Sequence, residues 1–344
     1  MTASDLFRAP LIMLRGQGVA VATAAHLLNR AGISVVHEPG TRRPVPVIML
    51  SDPALALLRD VFAKPDLFAD KVRIERRVVR WGAGEAVAMP HGAVVVSEHD
   101  LANVLDMFPQ GNFPTSGDTN GLTTIFGMAP FPAASIQRFG ERLSATARVR
   151  LSANADPATC WIESVDDGWL FLIPDGMGGA WLLAVGGVPD ILAAQAPMIA
   201  PLIETIAPAS GTFDTSPRML EQLAGEGWLA LGTAALAFDP ICGDGTAQAV
   251  REAILASAVV TALGRGEDPA ALITHYQSML LAAMRRHLQL SLPFYGGAGS
   301  SPWWRTQYAA SRGGYDWCTA RLAKMPEPRF ALHGFDLVRR ELVA

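Results

Sequence analysis

The sequence predicts an α/β protein: a largely parallel sheet covered by helices and assembled from separated segments, with an antiparallel β-rich unit inserted between them. Three observations carry this reading. Residues 11 to 38 read as strand, glycine turn, helix and strand, the length of one βαβ module. Residues 143 to 190 hold short apolar strands separated by Asp-Gly and Gly-Gly turns, the pattern of an antiparallel meander. Residues 227 to 266 run from an apolar strand through a glycine-rich loop into a long Ala-rich helix.

The elements follow in order. LIML (11 to 14) is too short for a helix and is bounded by Arg15 and Gly16, which predicts a buried strand. VAVATAAHLLNR (19 to 30) is made of good helix formers, with Gly32 at the place of a C-terminal glycine. ISVVHE (33 to 38) is β-branched and ends at Pro39-Gly40. Asp52-Pro53 is expected to cap a helix over ALALLRDVF (54 to 62). Strands are expected over 72 to 82 and 85 to 98, a short helix over 99 to 110, a loop over 111 to 121, and a strand over 123 to 128. Residues 191 to 224 are expected to turn helical, and two helices are expected over 246 to 266 and 269 to 289, followed by an aromatic, Gly/Ser-rich tail.

At 344 residues the chain is long enough for two domains, or for one large domain with an insertion. The expected units are a discontinuous nucleotide domain over 8–70, 93–142 and 225–290, a β-rich unit over 71–92 and 143–224, and a C-terminal cap over 291–344. With 28 basic against 32 acidic residues the net charge is -4, so no basic surplus exists to neutralise a phosphate backbone and nucleic acid is not an expected partner. Half the residues are hydrophobic and 17% are charged, a composition that folds. The mean hydropathy of +0.24 raises the question of a membrane. Its most apolar stretches, 168 to 187 and 191 to 203, are broken by Pro, Gly and Asp, so no span is expected. Three distant cysteines, Cys160, Cys242 and Cys318, form neither a metal motif nor an even disulfide set, and the first residues lack a secretory pattern; a cytoplasmic protein with reduced thiols is expected.

Chemistry-bearing motifs are few. Gly16-Gln17-Gly18 sits between a strand and a helix, where glycines make a tight turn and let the backbone approach a diphosphate at the helix N-terminus. Glu38, at the end of the next strand, would accept ribose hydroxyls. The third glycine of the pattern is replaced by Val21, which is expected to push the helix outward. His91, His99, His275 and His287 have no ligand spacing, so no metal is expected, and His287 beside Arg285 and Arg286 reads as a solvated helix face. No G-x-S-x-G elbow surrounds a serine, which disfavours a hydrolase.

GWLALGTAALAFDPICGDGTAQAVREAILAS (227 to 257) resembles the C-terminal flavin motif of FAD-dependent monooxygenases and flavin halogenases of the aromatic-hydroxylase type. GWLFLIP (168 to 174) is similar to a W-x-W-x-I-P element of the same superfamily, with Phe171 at the second tryptophan. The resemblance implies an FAD/NAD(P)-binding Rossmann-like three-layer domain carrying an inserted antiparallel substrate sheet. It also implies FAD as cofactor, reduced by NAD(P)H or by a partner flavin reductase. Carried over by position, Gly232, Thr233, Asp239, Pro240, Gly243 and Gly245 would contact the flavin, and Trp169, Phe171, Ile173 and Pro174 would wall the substrate cavity. Asp244 is expected to turn away and cap the following helix. The implied activity is hydroxylation of an aromatic or indole-like group, on a small molecule or on a peptide- or carrier-bound substrate.

Two alternatives stay open. A halogenase would need a lysine facing a tunnel from the flavin, and Lys71 is the candidate. A degenerate relative would serve as a binding or maturation partner; Val21, Ala129-Pro130 where the family has Asp-Gly, and Thr233 where it has Asp speak for it. The family's arginine at the end of a later strand is replaced by Glu98 or His99.

Overall fold

The structure is a computed structural model that describes residues 11–105, 123–243 and 245–340. The expected loop over 111 to 121 and the orientation of Asp244 lie outside these residues.

The strand Leu11–Arg15, helix α1 (Val19–Arg30) and the strand Ser34–Glu38 form as the periodicity predicts. Their sheet is ordered Ala224–Gly225, Trp228–Ala230, Thr123–Phe126, Leu11–Arg15, Ser34–Glu38; the last four strands are parallel and the first is antiparallel to its neighbour. Helix α2 (Asp52–Phe62) starts one residue earlier than expected in its capping chemistry: Ser51 Oγ accepts from the Ala54 amide, while Asp52 pairs with Arg73. Helix α3 (Glu98–Val104) opens on a capping box in which Ser97 and Asp100 exchange bonds with each other's amides.

A second sheet is built from residues 48 to 214. Its spine is ordered Ile203–Ile206, Leu143–Leu151, Gly179–Val185, Gly168–Pro174, Thr159–Val165, Arg73–Arg80, Val87–Val96, Ile48–Ser51. The strand Val87–Val96 runs unbroken through residues 92 and 93, so the expected unit boundary there divides one strand. Gly168–Pro174 is buried along its whole length. Its odd positions, Trp169, Phe171 and Ile173, pack with Ile241, Tyr295 and Trp304, while Leu170 and Leu172 pack with Leu192, Ala193 and Ile199 of the other face. Alternate side chains point to opposite faces, so one strand serves two cores.

Residues 191 to 224 depart from the helical expectation. After helix α4 (Pro189–Ala193) and a single tight turn they form the short strands Ile203–Ile206, Thr212–Asp214 and Arg218–Leu220. The first two pair with Leu143–Leu151 at an otherwise open edge; the third joins a three-stranded sheet with Ile136–Arg138 and Leu236–Ala237. Helix α5 (Gly245–Gly264) is apolar and long enough to cross a bilayer, and most of it is buried against α1 and α2. Helix α6 (Pro269–Gly297) continues through Pro293, well past the expected end, and α7 (Pro302–Leu322) packs along it. The hairpin Phe330–His333 and Asp336–Arg339 closes the described chain.

Candidate active site

A cleft of about 580 Å³ opens where the turn before α1, the loop after Thr123–Phe126, the Gly232 loop and the start of α5 meet. Gly16 (φ +115°) and Gly18 (φ +103°) make the first turn. A Cβ on Gly16 would stand 2.9 Å from the Gly127 carbonyl carbon, which no side chain tolerates. Helix α1 starts at Gly18 without a side-chain cap, so its first-turn amides are directed to the cleft. Opposite, Gly232 (φ +76°), Thr233 and Ala234 line the wall with Gly245, Thr246 and Ala249. The glycine turn before α1 and the Gly232–Gly245 region, more than two hundred residues apart in the chain, therefore share one cleft.

Val21 packs toward Gly127. It is buried, and a Cβ on Gly127 would lie 2.4 Å from its Cγ2. Gly127, on the loop after Thr123–Phe126, leaves the space that the Val21 side chain fills. Glu38 pairs with Arg15, which donates from Nε to Oε2 at 2.8 Å and from Nη2 to Oε1 at 2.9 Å. Neither Glu38 nor the Asp239–Gly243 segment belongs to the cleft lining.

Asp239 turns its side chain into the protein interior. Its carboxylate is fully buried: Oδ1 accepts from the Ile241 amide at 2.8 Å, and Oδ2 accepts from the Tyr295 hydroxyl and lies 3.0 Å from Arg142 Nη1. It caps the tight turn Pro240–Cys242, which Gly243 (φ +63°) leaves in left-handed backbone. Arg142 is itself buried, stacks 4.1 Å from the Tyr295 ring centroid, and donates to Ser311 Oγ at 2.6 Å. The ion pair thus joins the Pro240 turn, the large sheet and helices α6 and α7. His287 is not solvated: it is buried, stacks on Phe238, and its Nε2 accepts the Asp239 amide at 2.9 Å. Burial lowers its pKa to about 4, with Arg142 adding to the effect and Asp239 opposing it.

Trp169, Phe171 and Ile173 face the Pro240 turn side of the molecule, within an aromatic layer of Trp81, Tyr295, Trp303 and Trp304. Trp304 is anchored by donation from Nε1 to the Val165 carbonyl at 2.9 Å. Pro174 ends the same strand, paired with Ala180. These four residues lie on a strand that is buried along its whole length. Lys71 lies outside the cleft lining; its Nζ donates to Asp100 Oδ1 at 2.7 Å, a bond that raises the lysine pKa.

Three residues that matter carried little or no sequence signal. Arg42 and Glu98 form an ion pair inside the cleft, and the sequence marks only the second of them, as a residue standing where the resembled family has an arginine. Glu252, on α5, accepts the Gly232 amide at 2.8 Å and so holds the cleft wall; burial pushes its pKa up to about 7.

The fold is shared with flavin-dependent halogenases and hydroxylases of known structure. The chain is similar to a peptidyl tryptophan dihydroxylase, QhpG, essential for tryptophylquinone cofactor biogenesis (TM-score 0.73, 20% identity, 97% of this chain and 86% of that one). It is also similar to the flavin-dependent halogenase CmlS (TM-score 0.73, 15% identity, 90% and 70%). A third neighbour is 2,6-dihydroxypyridine-3-hydroxylase from Arthrobacter nicotinovorans (TM-score 0.62, 14% identity, 86% and 95%). No protein-family model and no curated protein matches the chain by sequence.

Proposed function

We propose that this protein is an FAD-dependent monooxygenase that hydroxylates an aromatic or indole-like group, on a small molecule or on a peptide- or carrier-bound substrate. The observation that carries this is the shared cleft: two glycine turns and the uncapped start of α1 converge with the Gly232 loop and the start of α5. The fold likeness to flavin hydroxylases and halogenases supports it. On this reading the parallel sheet with its helices is the Rossmann-like three-layer nucleotide domain, and the large sheet is the inserted substrate domain.

The residues fit the group. The α1 amides would take the diphosphate, as helix N-termini do for anions. Gly232 and Thr233 would lie along the sugar chain, and Gly245 leaves open space at the start of α5, where a Cβ would meet nothing within 4 Å. Bound flavin supplies the oxygen-activating chemistry, with electrons from NAD(P)H or a partner reductase. The chain's own contribution is position and dryness: the packed wall of Trp169, Phe171 and Ile173 excludes water beside the Pro240 turn. The pairing of Lys71 with Asp100, away from the cleft lining, is why halogenation is not the preferred reading.

The test is the visible absorption spectrum of the purified protein, alone and after addition of FAD and gel filtration. A flavin spectrum that co-elutes with protein is expected. Colourless protein that takes up no FAD at high concentration overturns the enzyme reading and leaves the binding-partner alternative.

A further inference from the structure

Glu98 is an acidic group buried in a cleft that is otherwise built for an anion. It is 7% exposed. Its oxygens accept from Arg42 Nη1 at 2.8 Å, from Arg42 Nη2, and from the Val45 amide at 2.7 Å. The pair lies directly on the first glycine turn: a Cβ on Gly18 would meet Arg42 Nη2 at 2.6 Å and Glu98 Oε1 at 3.3 Å. Helix α1, which starts there, has no side-chain cap of its own. A carboxylate therefore already stands where the helix end and Arg42 would attract a phosphate.

A diphosphate cannot join this arrangement at no cost. One guanidinium would face three negative groups at hydrogen-bond range, and like charges in a partly dry site repel strongly. Glu98 occupies the Nη1/Nη2 edge of Arg42, so a phosphate must either displace the carboxylate from that edge or take the Nε side with a like charge beside it.

We propose that Glu98 is a built-in competitor for the cleft's ligand: it holds Arg42 in the free protein, and a diphosphate-bearing ligand binds by taking Arg42 from it. The cleft then holds its dinucleotide as an exchangeable ligand, with Glu98 as the residue that sets the affinity. This deepens the FAD reading and rests on it for the identity of the ligand.

The experiment measures the affinities of FAD, ADP and riboflavin for the wild-type chain and for Glu98→Gln, by flavin fluorescence and by calorimetry for ADP. Gln keeps an acceptor for the Val45 amide and removes the charge; Glu98→Ala is a second variant should Gln fold poorly, and melting without ligand checks both. FAD and ADP should bind the variants about tenfold tighter or more, the scale of one charge-assisted hydrogen bond. Riboflavin, which lacks phosphate, should be unaffected. Adding Arg42→Gln to Glu98→Gln should remove the gain. FAD and ADP affinities that stay unchanged or weaken in folded variants overturn the competition. A gain for ADP with no binding of FAD keeps the competition and sinks the flavin reading, whereas FAD binding without any gain does the reverse.

Discussion

Two glycines with opposite reasons meet at Gly16 and Gly127. Gly16 needs its positive φ and its missing Cβ because the Gly127 backbone lies in van der Waals contact with it. Gly127 needs its missing Cβ because Val21 fills the space. Gly127→Ala should therefore destabilise the protein by about 1–3 kcal/mol through overpacking. Val21→Ala alone should cost a similar amount as a cavity, and the double variant should recover part of both losses. Urea denaturation of the four proteins checks this; additive losses would show that the two side chains do not share the space. Asp239 makes a second argument at the same scale. Replacing Asp239 with Ala leaves the Arg142 cation buried without its partner, a change that costs about 3–5 kcal/mol. The melting transition should fall accordingly, and Arg142→Met with Asp239→Leu together should restore much of it.

Among the titrating groups that helices α5 and α6 bury, Glu252 and His287 shift in ways that oppose each other. Glu252 on α5 is raised from 4.5 to about 7 by burial, against the bonds it accepts from Gly232 and Gln248. Its folded form binds the extra proton, so the stability it contributes is present below pH 4.5 and is lost as pH rises through about 7. His287 on α6 is lowered from 6.5 to about 4, chiefly by burial. Its contribution is present above pH 6.5 and is lost as pH falls through about 4. Between about pH 4.5 and 6.5 the slopes cancel, each being about 1.4 kcal/mol per pH unit at most. Glu252→Gln should make stability rise with pH across that window, and His287→Gln should make it fall. Denaturant titrations at several pH values would expose both, and parallel profiles for all three proteins would refute the assignment. Because Glu252 holds the Gly232 amide, the same Glu252→Gln profile also reports on the cleft wall.

At the scale of the molecule, segments far apart in the chain converge on one cleft, so a ligand there should stabilise the whole. Addition of FAD at a hundredfold excess over its dissociation constant should raise stability by about 2.7 kcal/mol. A melting temperature indifferent to FAD would contradict the proposed site. The C-terminal helices belong to the same unit: Trp304 is fully buried and tied to Val165 in the large sheet. Trp304→Ala should cost about 3–5 kcal/mol, read by denaturation.

What could be read from residues alone was local. Leu11–Arg15, α1, Ser34–Glu38, α5 and the strands from 143 to 185 were legible because period, β-branching and glycine placement act within one element. The strands of 203 to 220 were not, since they are only three or four residues long and exist by pairing with edges supplied from elsewhere. His287 looked solvated beside two arginines until an amide 48 residues away claimed its ring. Helix α6 continues past Pro293, and Tyr295 beyond that proline bonds to Asp239 and stacks with Arg142, contacts from remote segments. The sequence by itself determined the two glycine motifs and the kind of fold they imply, because turn geometry and amphipathic period are properties of neighbouring residues. Only the tertiary structure decided which charges meet: that Arg15 takes Glu38, that Asp239 serves Arg142, and that Glu98 stands in the cleft beside Arg42. Ion pairs join residues from remote segments, and nothing in the local chain sets which carboxylate a guanidinium will find.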